Sequence, residues 1–417
     1  MNKWWIIAIV LIIAIVAFLP KIASTPLGKP LFVKALAAKS QSKVEVGSLN
    51  FSWLGPQKFQ QIKWVHEEAT GTLEELDIEA PFWSFSGPFH LKNGSIAYQG
   101  GRIEAIEGEL QGNAFTLQGT TLQGHIALKG EVYSKLQFHI DVDLKNFPSI
   151  VINPRLSSLL GPTFNLNGFV RREEGKGTLQ LDVIASYLKT HINGFFTDQA
   201  VTLQEPLIAT FLPTPPLLSP QIEMQNPVTL RIEPKGVSCP LPFSLENLEI
   251  AEATLDLGRV QCQAGKVLAA IESLLKAKRL SKTTCWFTPV QWRIHKGILE
   301  LGRVDALLAS AIHLCAWGKV HLIRNQIDMT LGLPADTLHQ FFGIAHLPPN
   351  YVLKVPVRGT IEDPEFVTGP AIAKIAALVA AGQIPKKGVL GGIAELFSSP
   401  KEEKNVPPAK HPFPWER

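Results

Sequence analysis

Period-two alternation is the feature of this chain that leaves least freedom to its fold. In residues 137–144, Phe138, Ile140, Val142 and Leu144 fall on one side of an extended backbone, and Gln137, His139, Asp141 and Asp143 on the other. Residues 178–183 repeat the pattern, with Leu179, Leu181 and Val183 against Gln180 and Asp182. So do residues 327–333, with Ile327, Met329 and Leu331 against Asp328, Thr330 and Gly332. One wet face and one apolar face per strand is the mark of antiparallel sheet. No helical period separates the strand-like runs between about residues 43 and 260, so an up-and-down meander is expected.

Turn residues punctuate these runs. Asn93-Gly94 reads as a tight hairpin. Leu-Gln-Gly at 110–112, 117–119 and 122–124, and Asn-Gly at 167–168 and 193–194, read as further strand ends. In the second half, residues 227–232 (PVTLRI) resemble 289–294 (PVQWRI), and Leu-Gly-Arg-Val occurs at 257–260 and 301–304. Two matches in the same order suggest a duplicated β unit. Helical stripes come late: Val267, Leu268, Ile271, Leu274 and Leu275; Leu338, Phe341 and Phe342; and Ile372, Ile375, Leu378 and Val379, stopped near Gly382. The Pro- and charge-rich stretch 399–417 is expected to be disordered.

Hydrophobic residues make up 46% of the 417 and charged residues 18%, enough apolar side chain for a large core. A net charge of +4, with Lys and Arg scattered, argues against a nucleic-acid-binding stripe. Cys239, Cys262, Cys285 and Cys315 form no CxxC pair, which argues against zinc. Their even number permits two disulfides in an oxidising compartment, and four small buried thiols fit equally well. The eleven histidines are dispersed, and the chain contains no GxSxG, HExxH or phosphate-cradling glycine loop. Asp141 and Asp143 share a strand face, an arrangement that suits a cation but suits a solvated outer face better. A non-enzymatic protein without metal or cofactor is the expectation.

Residues 4–19 (WWIIAIVLIIAIVAFL) carry no charge, and sixteen helical residues rise about 24 Å, slightly less than the usual span. Trp4 and Trp5 suit a membrane interface, Ile9, Leu11, Ile15 and Phe18 its apolar interior, and Lys3 and Lys21 can snorkel. A cleaved signal peptide is the competing reading, but residues 20–24 lack a good small-residue cleavage site. Lys21, Lys29 and Lys34 follow the helix while only Lys3 precedes it, which by the positive-inside rule places the body in the cytoplasm.

The order of membrane helix, short basic helix and then residues 44–56 (VEVGSLNFSWLGP) resembles the start of AsmA-like proteins. Residues 353–366 (LKVPVRGTIEDPEF) resemble their closing strand, in which a Gly-Thr-x-x-x-Pro step precedes terminal helices. The alternation by itself leaves open whether the apolar faces close as a dry sandwich or line a groove. The resemblance implies the groove: a mainly β, elongated, curled antiparallel sheet with an open apolar concavity, an N-terminal transmembrane helix and a few late amphipathic helices. It also implies an inner-membrane anchor with the body in the periplasm, against the lysine count, and a role in outer-membrane lipid homeostasis or assembly. Phe138, Ile140, Val142, Leu144, Leu179, Leu181, Val183, Ile327, Met329 and Leu331 are then groove candidates for phospholipid or glycolipid. The alternative is an envelope scaffold that binds assembly proteins through sheet edges around a closed core. The domains read as an anchor at 1–22, a basic helix at 23–42, a meander at 43–226, a C-terminal β domain with helices at 227–398 and the tail at 399–417.

Overall fold

Extended backbone dominates from Lys43 onward in the computed structural model of the chain. It describes residues 42–382 except 67–68, 85–86, 99–100, 153–156, 213, 215–221, 242, 264, 276–281, 346 and 362, together with 406–416 and a scatter of positions from 20 to 37. The chain is mainly β and antiparallel, and it divides into two compact units, Met1–Ser186 and Tyr187–Arg417.

The first unit is the expected meander. Strands β1 (Lys43–Asn50), β2 (Gln57–His66), β3 (Ala69–Ile78), β4 (Phe89–Tyr98), β5 (Gly101–Gln111), β6 (Ala114–Thr120), β7 (His125–Ser134), β8 (Gln137–Pro148), β9 (Thr163–Glu173) and β10 (Lys176–Ala185) each pair antiparallel with the next. Two one-turn helices, α1 (Ser149–Ile152) and α2 (Ser157–Leu160), interrupt it between β8 and β9, and α1 packs against β5. A small core of Val46, Leu49, Phe51, Phe59, Ile78 and Ala80 closes the β1 end, with Ala23 and Val33 packed on it. There the aromatic that follows β1 has a clear job: Phe51 is buried, meets Phe59 edge-on at 5.4 Å and lies 5.6 Å from Phe82. The side-chain amide of the fully buried Gln57 holds the intervening loop, its nitrogen 2.6 Å from the Ser52 carbonyl and 2.8 Å from that of Ala80.

Three Asn-Gly pairs expected to end strands lie inside them instead. Asn93 and Gly94 are in β4, Asn167 and Gly168 in β9, and Asn193 and Gly194 in β11 (Leu188–Phe196). Asn93 has φ +50, as do two other mid-strand residues, Gln61 (φ 55) and Ala105 (φ 48), and β4 shifts register against β5 on either side of Gly94. Such positions kink a strand without ending it. Glycine is required at 168 by space, because a Cβ there would stand 1.9 Å from the Gln180 carbonyl oxygen of β10. Of the Leu-Gln-Gly triplets, 122–124 does fall between β6 and β7, whereas 117–119 lies within β6.

In the second unit long lanes of sheet are split into collinear halves. β11 pairs with β12 (Ala200–Leu203) and β13 (Leu207–Phe211), which pair with β16 (Val237–Pro240) and β15 (Val228–Ile232). Both of these pair with β17 (Glu249–Asp256). β14 (Ile222–Met224), β18 (Arg259–Gln263) and β19 (Lys282–Phe287) continue the other halves. β17 leads to β20 (Val290–His295), and β19 and β20 then share β21 (Ile298–Leu308). From there the sheet runs unsplit through β22 (Ile312–His321), β23 (Gln326–Pro334), β24 (Val352–Gly359) and β25 (Pro364–Phe366). The two Leu-Gly-Arg-Val sites mark faults in this sheet: one spans the break between β17 and β18, the other the register shift in β21.

Helices α3 (Lys266–Leu275), α4 (Ala335–Phe342) and α5 (Thr368–Gly382) supply Leu268, Ile271, Leu274, Leu338, Ala371, Ile375 and Leu378 to one core with Val260, Leu314, Leu331, Leu333, Leu353 and Val355 of the strands. Leu333, Leu338 and Val355 are fully buried, each contributing roughly 1.5–3 kcal/mol by removal from water. Ile372, expected on the apolar stripe of α5, is instead 48% exposed, and Ala371 takes the inward position. Residues 406–416, expected within a disordered tail, are packed against the second unit. Replacing Gly168 by Ala is expected to lower the chemical-denaturation stability by at least about 2 kcal/mol, through backbone displacement at the β9–β10 ladder. Gly369→Ala, where a Cβ meets nothing within 4 Å, is expected to change it by less than about 0.5 kcal/mol.

Candidate functional site

Because successive strands of the first unit pair antiparallel, with register shifts confined to a few positions, apolar side chains align across strands. One unbroken row runs Leu49, Phe59, Leu76, Leu91, Gly108, Leu117, Leu128, Val142, Gly168, Leu181, each opposite the next from β1 to β10. A parallel row runs Phe89, Leu110, Phe115, Gly130, Ile140, Val170, Leu179. A third joins Ile126, Leu144, Leu166 and Val183. Seven candidates read from sequence, Phe138, Ile140, Val142 and Leu144 of β8 and Leu179, Leu181 and Val183 of β10, thus share one face on either side of β9.

Exposure along that face is graded. Leu144 and Val183 are buried at the end of β8–β10 near α1 and α2, whereas Phe138, Ile140, Val142, Leu179 and Leu181 are half-buried. Leu91, Leu117 and Leu128 of the long row are also half-buried. The face therefore carries contiguous apolar side chains that retain solvent contact. The opposite face is polar: Lys129 stands across from Asp141, and His139 Nε2 lies 3.0 Å from Asp141 Oδ1 in the open. An open depression of about 600 Å³ on that side is lined chiefly by polar side chains, including Lys129, Glu131, His139, Asp141 and Arg171. The apolar rows themselves bring together no convergent set of polar groups. Their chemistry is limited to removing hydrocarbon from water, at about 0.8 kcal/mol per methylene.

The candidates from the second unit are placed differently. Leu331 is buried in the helix-covered core, and Ile327 and Met329 pack at its border. Helices α3 to α5 supply a second layer here, so this row is a closed core. Trp4, Trp5, Ile9, Leu11, Ile15 and Phe18 lie outside the described residues, among which no helix is long and apolar enough to cross a membrane. Cys239, Cys262, Cys285 and Cys315 are free thiols; Cys285 and Cys315 are buried, and the Cys285 thiol donates to the Thr283 carbonyl. Among the described residues no group of three or more His, Cys, Asp and Glu is arranged to hold a metal ion.

One cluster escaped the sequence reading. Where β21 and β22 meet the first turn of α4, the Arg303 guanidinium forks onto Asp305, with Nε 3.0 Å from Oδ2 and Nη2 2.7 Å from Oδ1. His313 Nε2 lies 3.1 Å from Asp305 Oδ1 and its Nδ1 2.7 Å from Asp336 Oδ2. Thr288 fixes the Asp305 backbone, accepting from its N–H at 2.9 Å, and the Thr337 hydroxyl donates to the His313 carbonyl at 2.5 Å. Alternation puts Arg303 and Asp305 on one face, but nothing local announces that His313 and Asp336 join them. Burial opposes the charged imidazole, yet the hydrogen bonds to Asp305 and Asp336 outweigh it and raise the His313 pKa to about 9.

Comparison of the chain with protein-family models, with curated proteins and with solved structures gives no match.

A folded pKa above the ordinary histidine value means that the stabilisation from His313 is complete below about pH 6.5 and is lost as pH rises through about 9. Urea unfolding of the native chain should accordingly weaken across that window by at most about 3 kcal/mol. In His313→Gln this part of the pH dependence should vanish, leaving a flatter difference curve.

Proposed function

We propose that the chain is a non-enzymatic, AsmA-like envelope protein that binds or transfers lipid along the apolar face of its first unit. The observation that carries this reading is the row running from Leu49 to Leu181 across ten strands, half-buried through much of its length. Acyl chains suit such a surface because they need no directed hydrogen bonds, and a phospholipid or glycolipid headgroup would remain in water at its rim. The likeness of residues 44–56 and 353–366 to AsmA-like proteins supports the same role, with residues 4–19 as inner-membrane anchor and the body in the periplasm. Outer-membrane lipid homeostasis or assembly is the process such a protein would serve. The second unit, with its helix-covered core, acts in this reading as a folded platform and not as part of the lipid path.

Lipid extraction and mass spectrometry of the chain purified from membranes tests the proposal. Co-purifying phospholipid or glycolipid is expected at about one or more molecules per chain, and a lipid-free protein would overturn the reading. Val142→Asp and Ile140→Asp should each reduce bound lipid several-fold while leaving the strand circular-dichroism signal intact, since both positions retain access to water. Leu333→Asp, which buries an unpaired charge in the second core, should instead unfold that unit.

A further inference from the structure

Residues 406–416 lie on the strand face opposite the helix-covered core. The Pro407 carbonyl accepts a hydrogen bond from Arg303 Nη1 at 3.0 Å. The Phe413 ring meets His313 edge-on at 5.0 Å and stacks on Trp415 at 4.8 Å, and Trp415 in turn lies 5.7 Å from His313. The Lys410 ammonium donates to the Gln291 side chain. Among the residues of the segment Phe413 is the one that is buried, at 5% exposure, while Lys410, His411, Pro412 and Glu416 face water. The Glu416 carboxylate turns back to accept the Phe413 N–H at 2.7 Å, so the end of the segment is organised partly by itself.

Apart from the Arg303 Nη1 donor, the polar groups beneath are held by partners outside the segment. Arg303, Asp305 and His313 are bound to one another, to Asp336 and to Thr288, all within the strands and the first turn of α4. Their charges are compensated by partners that lie outside the segment. One aromatic anchor, one backbone carbonyl held by an arginine and a polar rim are the parts from which peptide-recognition sites are made.

We infer that the Arg303–His313 surface is a peptide-binding site whose ligand is a proline- and aromatic-rich segment closed by a turn, and that residues 406–416 occupy it in cis and can leave it without unfolding the strands. The segment and α5 belong to one chain, and covalent linkage of ligand and site supplies an effective concentration on the order of 1 mM. A free peptide of micromolar affinity is therefore enough to keep the site filled in the intact chain.

The test uses the full chain with a protease recognition sequence inserted within 383–405 and cleaved after folding. Dilution should release the 406–417 fragment, with the strand circular-dichroism signal unchanged. A fluorescently labelled synthetic 406–417 peptide should then rebind saturably, at least tenfold more tightly than it binds the uncleaved chain. Phe413→Ala in the peptide should weaken rebinding about tenfold or more, and Arg303→Gln in the chain should weaken it while the thermal transition persists. A fragment that never dissociates, one that leaves and does not rebind, or a body that loses its strand signal on release would each overturn the inference. A stable dimer holding the segment on a second copy would overturn the cis arrangement.

Discussion

The hydrogen-bonded register between successive strands is the constraint on which the rest of this molecule depends. Side chains alternate with a period of two, so a slip of one residue in any pair would send that strand's apolar set to the wet side. In the first unit, despite local register shifts, Leu49 is linked to Leu181 by an unbroken chain of opposite neighbours across ten strands. Where β4 and β5 shift against each other, the shift is absorbed at kinked residues such as Asn93 and Ala105, and the apolar residues return to the same face beyond it. Glycines at 108, 130 and 168 interrupt the rows where backbones approach closely, so the face is notched along its length.

The same strand grammar has two outcomes in one chain. In the first unit the apolar rows stay partly in contact with water. In the second unit α3, α4 and α5 cover the rows, and Leu331, Leu333 and Val355 become core. The difference does not lie in the strands, whose alternation is alike, but in what the intervening segments supply as a second layer. A functional argument from exposed apolar surface therefore applies to β1–β10 and stops at the helix-covered core. The other face of β21 and β22 is specialised as well: a compensated charge cluster lies under an aromatic segment from the far end of the sequence.

Much of the candidate face was legible in the sequence because it rests on a local rule. Phe138, Ile140, Val142 and Leu144 share a face for the same reason that any residues at i, i+2, i+4 and i+6 of a strand do. The turns were read less well. Asn and Gly are used both where a chain reverses and where a strand must kink or let a neighbouring backbone approach, and only the partner strand distinguishes these uses. Asn93 and Gly168 belong to the second kind. Ile372 shows a similar limit in a helix: Ala371, Ile375 and Leu378 also stand at helical spacing, and it is they that face the core.

What the sequence by itself determined is the material of the protein: antiparallel strands with one apolar face, late amphipathic helices, and no motif for familiar catalytic chemistry. These follow from periodicity and composition, which act over a few residues at a time. Tertiary structure decided which apolar faces are covered and which are left in contact with water, because covering depends on segments far apart in the chain. It also brought Arg303, Asp305, His313 and Asp336 together from two strands and a helix start, and laid Phe413 over them. No local pattern encodes that meeting, since ion pairs and ring contacts form between side chains whose separation in sequence is set only when the sheet is assembled.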